Sequence, residues 1–583
     1  MRSTSIISLR NLLIASIIVL FSFPAICAES VSRGEMVKYI LDTLNIPPWT
    51  GERTFSDVPE SHLHSSYIET ARALGLIYPS ERFHPDLKAT RAEALMFALK
   101  AMGWEHESGL ASWVYQESEN DLPAYIAPYH SLAKRIDPPA PSDFLSGPDE
   151  DLEDNDLSEL QDWISSCLVS MTWHEEIGSG VLKLIIHRQG VGTPPGAWAV
   201  KIFSSSERTE AERFASKFAS LGMKVFIVDN ICSFTVNIGP FTHYGEAWNQ
   251  LSSLSSDFRG LIVPVGKSST RALFWASIVT NEREVIPSIV TAPSLGTSTL
   301  PLSALTAGTN GVAGVNGGYF YKDKPVGSLI SGGEFLGTPI INRSAVGWDK
   351  RGNIHFGNGT FRSTLHWGKD GKIVLTDYNN PPRMNGAALF TPSMGRFAKG
   401  IPPNSTEILL SSGRVAHIRS SSGSNHLMDT EDQLIVLRGF PEKQVSTLRK
   451  GMPVSIRTEF FDSQLENVEL LVQGGPLLLN DRNPLQNNEG LSSRITDLRH
   501  PRTLVGFDGA RTWFIVVDGR NSWHSSGITL MEAQILLDHL GMTYGLNLDG
   551  GGSSQIQWLD HVVNLLPGGQ ERSLPYGLIF FEE

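Results

Sequence analysis

The sequence predicts a multidomain protein with three folded parts: an α-helical region, a small α+β domain and a larger α+β domain with mixed sheets. A chain of 583 residues is too long for one hydrophobic core. Helical spacing dominates residues 29–136, whereas the order βαββαβ fits residues 197–266. Residues 268–583 are rich in glycine and short β-type runs, which are interrupted by one clear helix over 529–540.

The first 28 residues are typical of an export signal. Arg2 and Arg10 form a basic start, and an apolar run over 12–23 is too short to span a bilayer comfortably. Small residues follow, with cleavage expected near Ala28. We therefore expect an exported protein of the bacterial cell envelope, in the periplasm or the cell wall.

Overall composition excludes one class of partner. The hydrophobic fraction of 41% and the charged fraction of 19% are ordinary for a globular protein. A formal charge of −13 leaves no basic surplus to neutralise phosphates, so no nucleic-acid partner is expected. After signal cleavage no run is long enough for a transmembrane helix, and Cys167 and Cys232 could pair or stay free.

The helical region carries a recognisable order of short motifs. These are Phe55–Val58, the stop at Gly75, the turn Phe83–Asp86, and Thr90 with Glu93 at capping-box spacing. The order resembles an S-layer homology repeat. Ser32–Glu35 resembles the tail of an earlier repeat, and Asp121–Tyr129 resembles the start of a later one. That resemblance implies binding of a secondary cell-wall polymer, and the alternative is a helical domain without wall binding.

Residues 137–162 are rich in proline and then in acidic side chains, a composition that predicts a solvated linker. Residues 163–196 give no clear assignment. The following segment, 197–266, combines three features: its opening strand, Ile238–Phe241 and a helix around Ala247. Together they resemble a SPOR domain, which implies binding of peptidoglycan glycan strands on the open face of a small sheet. The alternative is a ferredoxin-like packing module.

In the last domain, polar residues stand beside glycines at strand ends. Glycine at such places lets backbone come close to a ligand. No single motif is specific, but together they predict one cleft lined by Asn316, Arg502, Asp518, Arg520, Asn547 and Asp549.

The order of these motifs resembles the phosphodiester glycosidase family, which includes uncovering-enzyme-like proteins. The resemblance covers most of 270–583 and rests on Asn316–Phe320, Gly474–Pro476, Pro501–Thr503, Asp518–Arg520, Gly527 with Glu532, Asn547–Ser554 and Glu571–Arg572. It implies hydrolysis of a carbohydrate phosphodiester at the bond between the sugar and the phosphate oxygen.

The residue types fit that chemistry. An arginine can hold an anionic phosphodiester with a planar pair of donors, and a carboxylate can act on the sugar centre. The expected catalytic residues are Asp549, Asp518 and Glu532. The residues expected to bind substrate are Asn316, Arg502, Arg520, Asn547, Gly550, Gly551, Gly552, Ser553 and Arg572, with the main-chain amides of the three glycines forming an anion nest.

Structural alternatives exist for several of these residues. Asp518 could be a turn residue, Glu532 could be an exposed helix residue, and Arg572 could pair structurally with a carboxylate. No cofactor is expected, although a divalent cation held by the aspartates is left open. The functional expectation is an envelope hydrolase acting on a glycosyl-1-phosphodiester in a glycopolymer or exopolysaccharide. The alternative is a non-catalytic protein that binds peptidoglycan or another cell-wall glycan.

Overall fold

The structure is a computed structural model. It describes residues 29–582 except 49–54, 78–79, 115–121, 179, 191–195, 206, 231–232, 255–259, 266–271, 282–284, 395–396, 399, 424–425, 428, 430–431, 441–444, 522 and 568. The predicted export signal and Cys232 therefore lie outside the described residues, whereas Cys167 is described and its thiol is free and buried. Within the described part of the chain, no helix has the length and apolar character needed to cross a membrane.

Helices concentrate in the first third of the chain. They are α1 (Arg33–Thr43), α2 (Ser65–Ala73), α3 (Arg91–Ala101), α4 (Glu105–Val114), α5 (Ala127–Arg135), α6 (Ser142–Ser146), α7 (Asp154–Val169), α8 (Arg208–Ser220), α9 (Tyr244–Ser253), α10 (Leu302–Ala307), α11 (Ser493–Thr496) and α12 (Leu530–His539). The capping box predicted at Thr90 is present, with Glu93 Oε2 accepting from the Thr90 amide.

Strands begin after α7 and dominate the rest of the chain. They are β1 (Met171–Ile177), β2 (Leu182–Gln189), β3 (Ala197–Ser205), β4 (Val225–Asn230), β5 (Ser233–Phe241), β6 (Leu261–Val265), β7 (Leu273–Asn281), β8 (Ser288–Thr291), β9 (Ala313–Asn316), β10 (Phe320–Tyr321), β11 (Lys324–Pro325), β12 (Leu329–Ser331), β13 (Glu334–Gly337), β14 (Ser344–Asp349), β15 (Ile354–Asn358), β16 (Phe361–Trp367), β17 (Gly371–Leu375), β18 (Asp377–Tyr378), β19 (Gly386–Phe390), β20 (Phe397–Ala398), β21 (Thr406–Ser411), β22 (Arg414–Ser420), β23 (His426–Leu427), β24 (Asp432–Arg438), β25 (Val454–Phe460), β26 (Val468–Gln473), β27 (Leu477–Asn480), β28 (Asn483–Pro484), β29 (Arg502–Phe507), β30 (Arg511–Val517), β31 (Tyr544–Asn547), β32 (Ile556–Trp558), β33 (His561–Val562) and β34 (Tyr576–Phe580).

The largest sheet has eight strands in the order β1-β2-β7-β30-β29-β31-β27-β28. A five-stranded sheet, β33-β32-β9-β34-β8, packs near one face, where the rings of Phe514 and Phe580 lie 5.0 Å apart. Helix α12 covers part of the other face, burying Ala533 and Leu537 against strands of the sheet. The large sheet thus lies between the five-stranded sheet and α12.

The remaining strands form smaller sheets. Their orders are β13-β12-β26-β14-β15, β17-β16-β25, β18-β19-β24-β21-β22, β4-β5-β3-β6, and the pairs β10-β11 and β20-β23. The prediction of mixed sheets is met by one pairing, because β18 and β19 run parallel.

The segment predicted as a solvated linker, 137–162, is folded instead. It contains α6 and most of α7, and Phe144, Leu152 and Leu160 are fully buried. The prediction was wrong because Asp154, Glu159 and Asp162 are exposed on one side of α7, while its apolar residues recur at helical spacing on the buried side, where Asp156 pairs with Arg91. Composition alone does not reveal that separation.

The described residues of the unassigned segment, 163–178, 180–190 and 196, also have a defined place. Strands β1 and β2 form the edge of the eight-stranded sheet, and β2 pairs with β7 along its whole length. The large sheet therefore receives strands from both sides of the β3–β6 unit in the sequence. A fragment that begins at residue 268 lacks two strands of this sheet.

The three predicted parts share one hydrophobic core. An aromatic cluster joins them: Trp198 of β3 donates from Nε1 to the Ala73 carbonyl, and its ring lies 5.0 Å from Tyr244 and 6.2 Å from Trp523. Gly103 supports the same junction, because a Cβ there would lie 2.1 Å from the Trp523 ring. The N-terminal parts are thus packed directly against the loops that follow β30.

Candidate active site

Antiparallel pairing brings three of the predicted motifs to one end of the large sheet. Arg502 begins β29 opposite Val517 at the end of β30, and Leu504 lies opposite Asn547 at the end of β31. The residues that follow β30 and β31 therefore emerge beside the start of β29. The amide of Gly551 donates to the Pro501 carbonyl at 2.8 Å and ties the glycine loop to this strand.

The Asn-Gly-Gly motif after β9 is explained by close packing. A Cβ at Gly317 would lie 2.2 Å from the Tyr576 ring, and one at Gly318 would lie 2.4 Å from the Gln473 carbonyl. The amide of Gly318 donates to the Tyr576 hydroxyl at 2.8 Å. These glycines allow the segment after β9 to pack against Tyr576 of β34 and the end of β26.

Asp549 is the carboxylate at the centre of the cluster. It is half-buried, and burial raises its pKa to about 6, against the opposing effects of a Ser553 hydrogen bond, the Arg572 charge and the Gly550 amide. The Asp549 carbonyl accepts from Asn316 Nδ2 at 2.8 Å, which fixes the backbone. A carboxyl group with this pKa can change protonation state near neutral pH.

Two arginines lie against the glycine loop beside Asp549. A Cβ at Gly551 would be 3.1 Å from Arg520 Nη2, and one at Gly552 would be 4.0 Å from Arg572 Nη1. Arg572 also donates to Ser553 Oγ at 3.1 Å, while its guanidinium carbon lies 4.7 Å from the centre of the Phe320 ring. The absence of side chains at these glycines thus leaves space in which an anion could meet both arginines.

Arg502 takes a more buried position than the sequence predicts. Its Nε donates to the Ile528 carbonyl, and its Nη2 donates to the carbonyls of Ile495 and Leu498. Burial lowers its pKa to about 10. These bonds make Arg502 a brace between β29 and the neighbouring loops, with Nη1 as the nitrogen left for a ligand among the described contacts.

The two predicted asparagines hold the site together. Asn316 Oδ1 accepts from Thr503 Oγ1 at 2.7 Å and from the Gln555 amide at 3.0 Å. Asn547 Nδ2 donates to the Tyr319 hydroxyl at 2.9 Å and to the Gly475 carbonyl at 3.0 Å. Both side chains are buried, so they bind neighbouring motifs to one another.

The predicted nest of three amides is only partly available. The Gly551 amide is used by Pro501, and the Gly550 amide donates to the Asp549 carboxylate. Gly551 has a φ of +66°, which favours glycine. The loop therefore orients Asp549 and makes room for the arginines, and two of its three amides are already committed.

Asp518 does not line the cleft with Asp549, contrary to the prediction. Its Oδ2 accepts from His524 Nε2 and from the Leu565 amide, both at 2.8 Å, and its Oδ1 accepts from Asn564 Nδ2 at 3.0 Å. Only 1% of the residue is exposed, and burial raises its pKa to about 7. The reason for the difference is that protein donors occupy both carboxylate oxygens.

His524 connects Asp518 to the N-terminal helical region. Arg188 Nη1 donates to His524 Nδ1 at 3.2 Å, so the proton of the neutral imidazole lies on Nε2 and is donated to Asp518. Arg188 also pairs with the fully buried Glu107 at 2.5 Å. A buried polar network therefore runs from α4 through β2 to the loop after β30.

Glu532 is also placed away from Asp549. It completes a capping box with Thr529 at the start of α12, and its carboxylate pairs with Arg499 at 2.5 and 3.1 Å. It borders a groove of about 810 Å³ whose lining includes His187, Trp275 and Leu540 but neither Asp549 nor the glycines after it. The catalytic expectation for Glu532 is thus not met by its position.

The structure adds two residues that the sequence prediction did not place in the site. The Tyr319 hydroxyl donates to the Gly475 carbonyl at 2.9 Å, and burial and the charge of Asp549 raise its pKa. The guanidinium carbon of Arg343 lies 5.6 Å from the Tyr319 ring, and its Nε is buried without a hydrogen-bond partner. Tyr319 could have been found from the Asn316 motif, whereas nothing around Arg343 in the sequence marks it.

The described residues were compared with the arrangements that hold metal ions. Among the described residues, no group of three or more His, Cys, Asp or Glu side chains is arranged to hold a metal ion. The charged groups beside Asp549 are arginines, which are suited to an anion.

Three family models match the chain. The phosphodiester glycosidase model matches residues 383–581, the SPOR domain model matches 194–264, and the S-layer homology domain model matches 54–95. These matches confirm the three resemblances found in the sequence. A search of curated proteins found no significant relative.

Solved structures give more distant similarities. A protein from Burkholderia pseudomallei K96243 is 15% identical, covers 71% of this chain and 97% of its own, and has a TM-score of 0.51, which shows a shared fold. A Synechocystis protein is 18% identical, with coverage of 71% and 81% and a TM-score of 0.49. The catalytic domain of zebrafish N-acetylglucosamine-1-phosphodiester alpha-N-acetylglucosaminidase is 12% identical, with coverage of 72% and 90% and a TM-score of 0.31.

The domain matches define a class of protein. S-layer homology and SPOR domains are kinds of module that bind cell wall or peptidoglycan, and here they accompany a phosphodiester-glycosidase-like domain. The chain is thus an exported, cell-envelope-associated protein with such a domain at its C-terminal end.

Proposed function

We propose that this protein is a hydrolase that cleaves a glycosyl-1-phosphodiester bond in an envelope glycopolymer or exopolysaccharide. The observation that carries the proposal is the half-buried Asp549 carboxyl group, which adjoins a glycine loop bordered by Arg520 and Arg572. The other two carboxylates predicted to be catalytic are engaged elsewhere: protein donors fill both oxygens of Asp518, and Glu532 forms an ion pair with Arg499. Asp549 is the one that lies beside the glycine loop and its arginines. The site therefore combines one usable carboxylate with cations suited to a phosphate.

This combination fits cleavage between the anomeric carbon and the phosphate oxygen. Arg520 and Arg572 would bind the phosphodiester anion, and Asp549 in its ionised form would stabilise the positive charge that develops on the sugar. The bonding electrons leave with the phosphate as a phosphate monoester dianion. Water supplies the new sugar hydroxyl, and its remaining proton passes to the departing phosphate or to solvent. Because that leaving group is already a stable anion, a second carboxyl group acting as a strong acid is less necessary than in ordinary glycoside hydrolysis.

The N-terminal modules would serve to keep the enzyme near its polymer. Binding of the wall by one module raises the effective concentration of substrate at the other without new contacts at the active site. SPOR and S-layer homology domains are kinds of domain that bind the cell wall, which supports this role. The export signal expected over residues 1–28 also supports it.

Turnover by residues 29–583 tests the proposal. The substrate is a nitrophenyl phosphodiester of N-acetylglucosamine-1-phosphate, and the expected products are N-acetylglucosamine and nitrophenyl phosphate, separated by chromatography. The full chain without its signal is needed because β1 and β2 belong to the large sheet. Diesters of other sugars complete the panel, since the site does not specify the sugar.

The rival function is a non-catalytic protein that binds cell-wall glycan. It predicts binding of peptidoglycan strands or of phosphodiester polymers with no release of sugar or phosphate from any member of the panel. That result would contradict the hydrolase proposal and favour the rival.

A further inference from the structure

The segment that leads to Arg572 rests on the small sheet β4-β5-β3-β6, here called the SPOR-like sheet. A Cβ at Gly569 would lie 2.7 Å from Leu261 Cδ2 and 3.1 Å from Leu261 Cβ, so the main chain there touches the Leu261 side chain. Lys201 Nζ donates to the Pro567 carbonyl at 3.3 Å. Leu261 and Lys201 lie opposite each other on β6 and β3, so two paired side chains of one module contact the same stretch of another.

The contact uses the face of the SPOR-like sheet that points away from α9. Val200 faces α9, because the Cβ position of Gly260 lies 2.5 Å from Leu251 and 3.0 Å from Val200. Side chains alternate along a strand, so Lys201 points to the opposite face. Asn237 pairs with Lys201 and shares its face, yet only 3% of Asn237 is exposed. The middle of this face is therefore covered.

The same segment is held a second time by the large domain. Gln555 Nε2 donates to the Arg572 carbonyl at 2.8 Å, and the carboxylate of Glu571 accepts from the Ser303 amide at 2.9 Å. Gly569, which touches the SPOR-like sheet, lies three residues before Arg572. Residues 569–572 are thus fixed at both ends, at one by the SPOR-like sheet and at the other by the domain that carries Asp549.

The position of this main chain matters because the Arg572 side chain is exposed. Its Nη1 donates to Ser553 Oγ, and its guanidinium group lies over the Phe320 ring, beside the glycine loop. A long exposed side chain loses conformational freedom when it is held in one place. Fixing the main chain that carries it limits the positions that it can reach, and a displacement of about 1 Å in a binding group can strongly reduce catalysis.

We propose that Leu261 and Lys201 are positioning residues, which hold the segment before Arg572 so that its guanidinium group stays at the glycine loop and binds the phosphate of the substrate. The inference rests on the proposed function, because it assigns the phosphate to Arg572. The SPOR-like sheet is then part of the catalytic unit, and its contact with Pro567 and Gly569 is an internal interface that the activity requires.

The direct test is a double-mutant cycle with Arg572. Leu261→Ser and Lys201→Met should each raise KM for the nitrophenyl diester about fivefold and leave kcat within about twofold, because they loosen a group that binds the phosphate in substrate and transition state alike. In the Arg572→Met background, the same two substitutions should change KM by less than about 1.5-fold. The conservative change Leu261→Met should retain the KM of the unaltered chain.

Val228→Ser is the matched control for Leu261→Ser. Val228 pairs with Thr235, two residues from Asn237, so it lies on the same face of the SPOR-like sheet. It is 40% exposed, outside the contact with the large domain. Its kinetics should equal those of the unaltered chain in both backgrounds.

Thermal unfolding separates positioning from general damage to the fold. A loss of folded protein lowers the apparent kcat whether or not Arg572 is present, whereas a loss of positioning raises KM only when it is present. Lys201→Met retains the apolar part of its side chain, so it provides the test if Leu261→Ser lowers the Tm too far for kinetics.

A second readout does not depend on turnover. Binding of inorganic phosphate to the full chain, measured by calorimetry, should weaken about fivefold in Leu261→Ser and Lys201→Met, remain unchanged in Val228→Ser, and show no further loss when Arg572→Met is added to either variant beyond that of Arg572→Met alone.

The outcomes are distinguishable. Arg572-dependent weakening of phosphate binding without turnover of any diester supports the positioning role and contradicts the hydrolase proposal. Turnover with unchanged KM and phosphate affinity in both variants, or with equal effects in the presence and absence of Arg572, supports the hydrolase and overturns the positioning role. Absence of both phosphate binding and turnover in the unaltered chain would contradict both.

Discussion

Asp518 and Asp549 each begin an Asp-Gly pair after a strand, but their environments differ. Each follows a strand of the large sheet and precedes a glycine, and the two strands flank β29 on opposite sides. Asp518 is enclosed by His524, Asn564 and the Leu565 amide. Asp549 is half-buried and adjoins a loop whose glycines leave space for two arginines.

The comparison teaches that the Asp-Gly pattern marks a strand end without specifying its use. Protein donors fill the oxygens of Asp518, which makes it a support for the chain around Asn564 and Leu565. The carboxyl group of Asp549 faces donors from its own loop and cations that a substrate anion can reach. The substitutions below therefore have different expected effects at the two positions.

The largest expected effect is on catalysis at Asp549. Asp549→Asn should lower kcat/KM for the phosphodiester by about a thousandfold, because a neutral amide cannot stabilise positive charge at the sugar. Steady-state kinetics measure this. Asp560→Asn, at an exposed turn, is the matched control and should behave like the unaltered protein. Equal rates for all three proteins would remove Asp549 from the mechanism.

At Asp518 the main expected effect is on stability. In the unaltered protein, three donors bind the Asp518 carboxylate. Asp518→Asn would place an amide NH₂ group against some of these donors, so the free energy of unfolding should fall by about 2–3 kcal/mol. Chemical denaturation measures the change, and kcat/KM of the folded fraction should fall far less than for Asp549→Asn. A larger loss of activity than in Asp549→Asn would reverse the roles assigned to the two residues.

A third test uses the protonation of Asp549. Burial raises the folded-state pKa of Asp549 from 3.8 to about 6. The contribution of this carboxyl group to the free energy of unfolding is therefore fully present below about pH 4, and it is lost as pH rises through about 6. Between pH 4.5 and 7.5, Asp549→Asn should gain about 1–2 kcal/mol of stability relative to the unaltered protein, measured by denaturation at both values.

The same titration should appear in the kinetics. If ionised Asp549 is the reactive form, kcat/KM rises with pH through about 6. A profile that falls over this range would indicate that the protonated form reacts.

The smallest expected effect is at Glu532. Glu532→Gln weakens the ion pair with Arg499 but leaves an acceptor for the capping box. Unfolding free energy should fall by about 0.5–1 kcal/mol, and kcat/KM should stay within about twofold. A loss of activity comparable to that of Asp549→Asn would restore Glu532 as a catalytic candidate.

The spacing of apolar residues and the order of the motifs were the most useful features of the sequence for predicting the fold. In residues 197–265 the elements follow the order β3-α8-β4-β5-α9-β6, and the helix predicted over 529–540 is α12. The motifs at strand ends also predicted that Arg502, Arg520 and Asp549 line one cleft. At the end of 137–162 and just beyond it, by contrast, Leu157, Leu160 and Ile164 already showed helical spacing, which the acidic composition outweighed in the prediction.

The rest depends on contacts between distant parts of the chain. Arg188 meets His524 across 336 residues, and Lys201 meets Pro567 across 366. These contacts decide which carboxyl group is enclosed and which cation approaches the site. Local sequence cannot contain that information, because it arises from the packing of three modules on one core.

Hydrolysis in water enriched in ¹⁸O tests the central claim most directly. The products of the nitrophenyl phosphodiester are analysed by mass spectrometry at an early stage of the reaction. Cleavage at the sugar–oxygen bond predicts ¹⁸O on the anomeric carbon of the released sugar and none in the nitrophenyl phosphate. Incorporation of ¹⁸O into the phosphate would show attack at phosphorus and contradict the assignment of this site as a phosphodiester glycosidase.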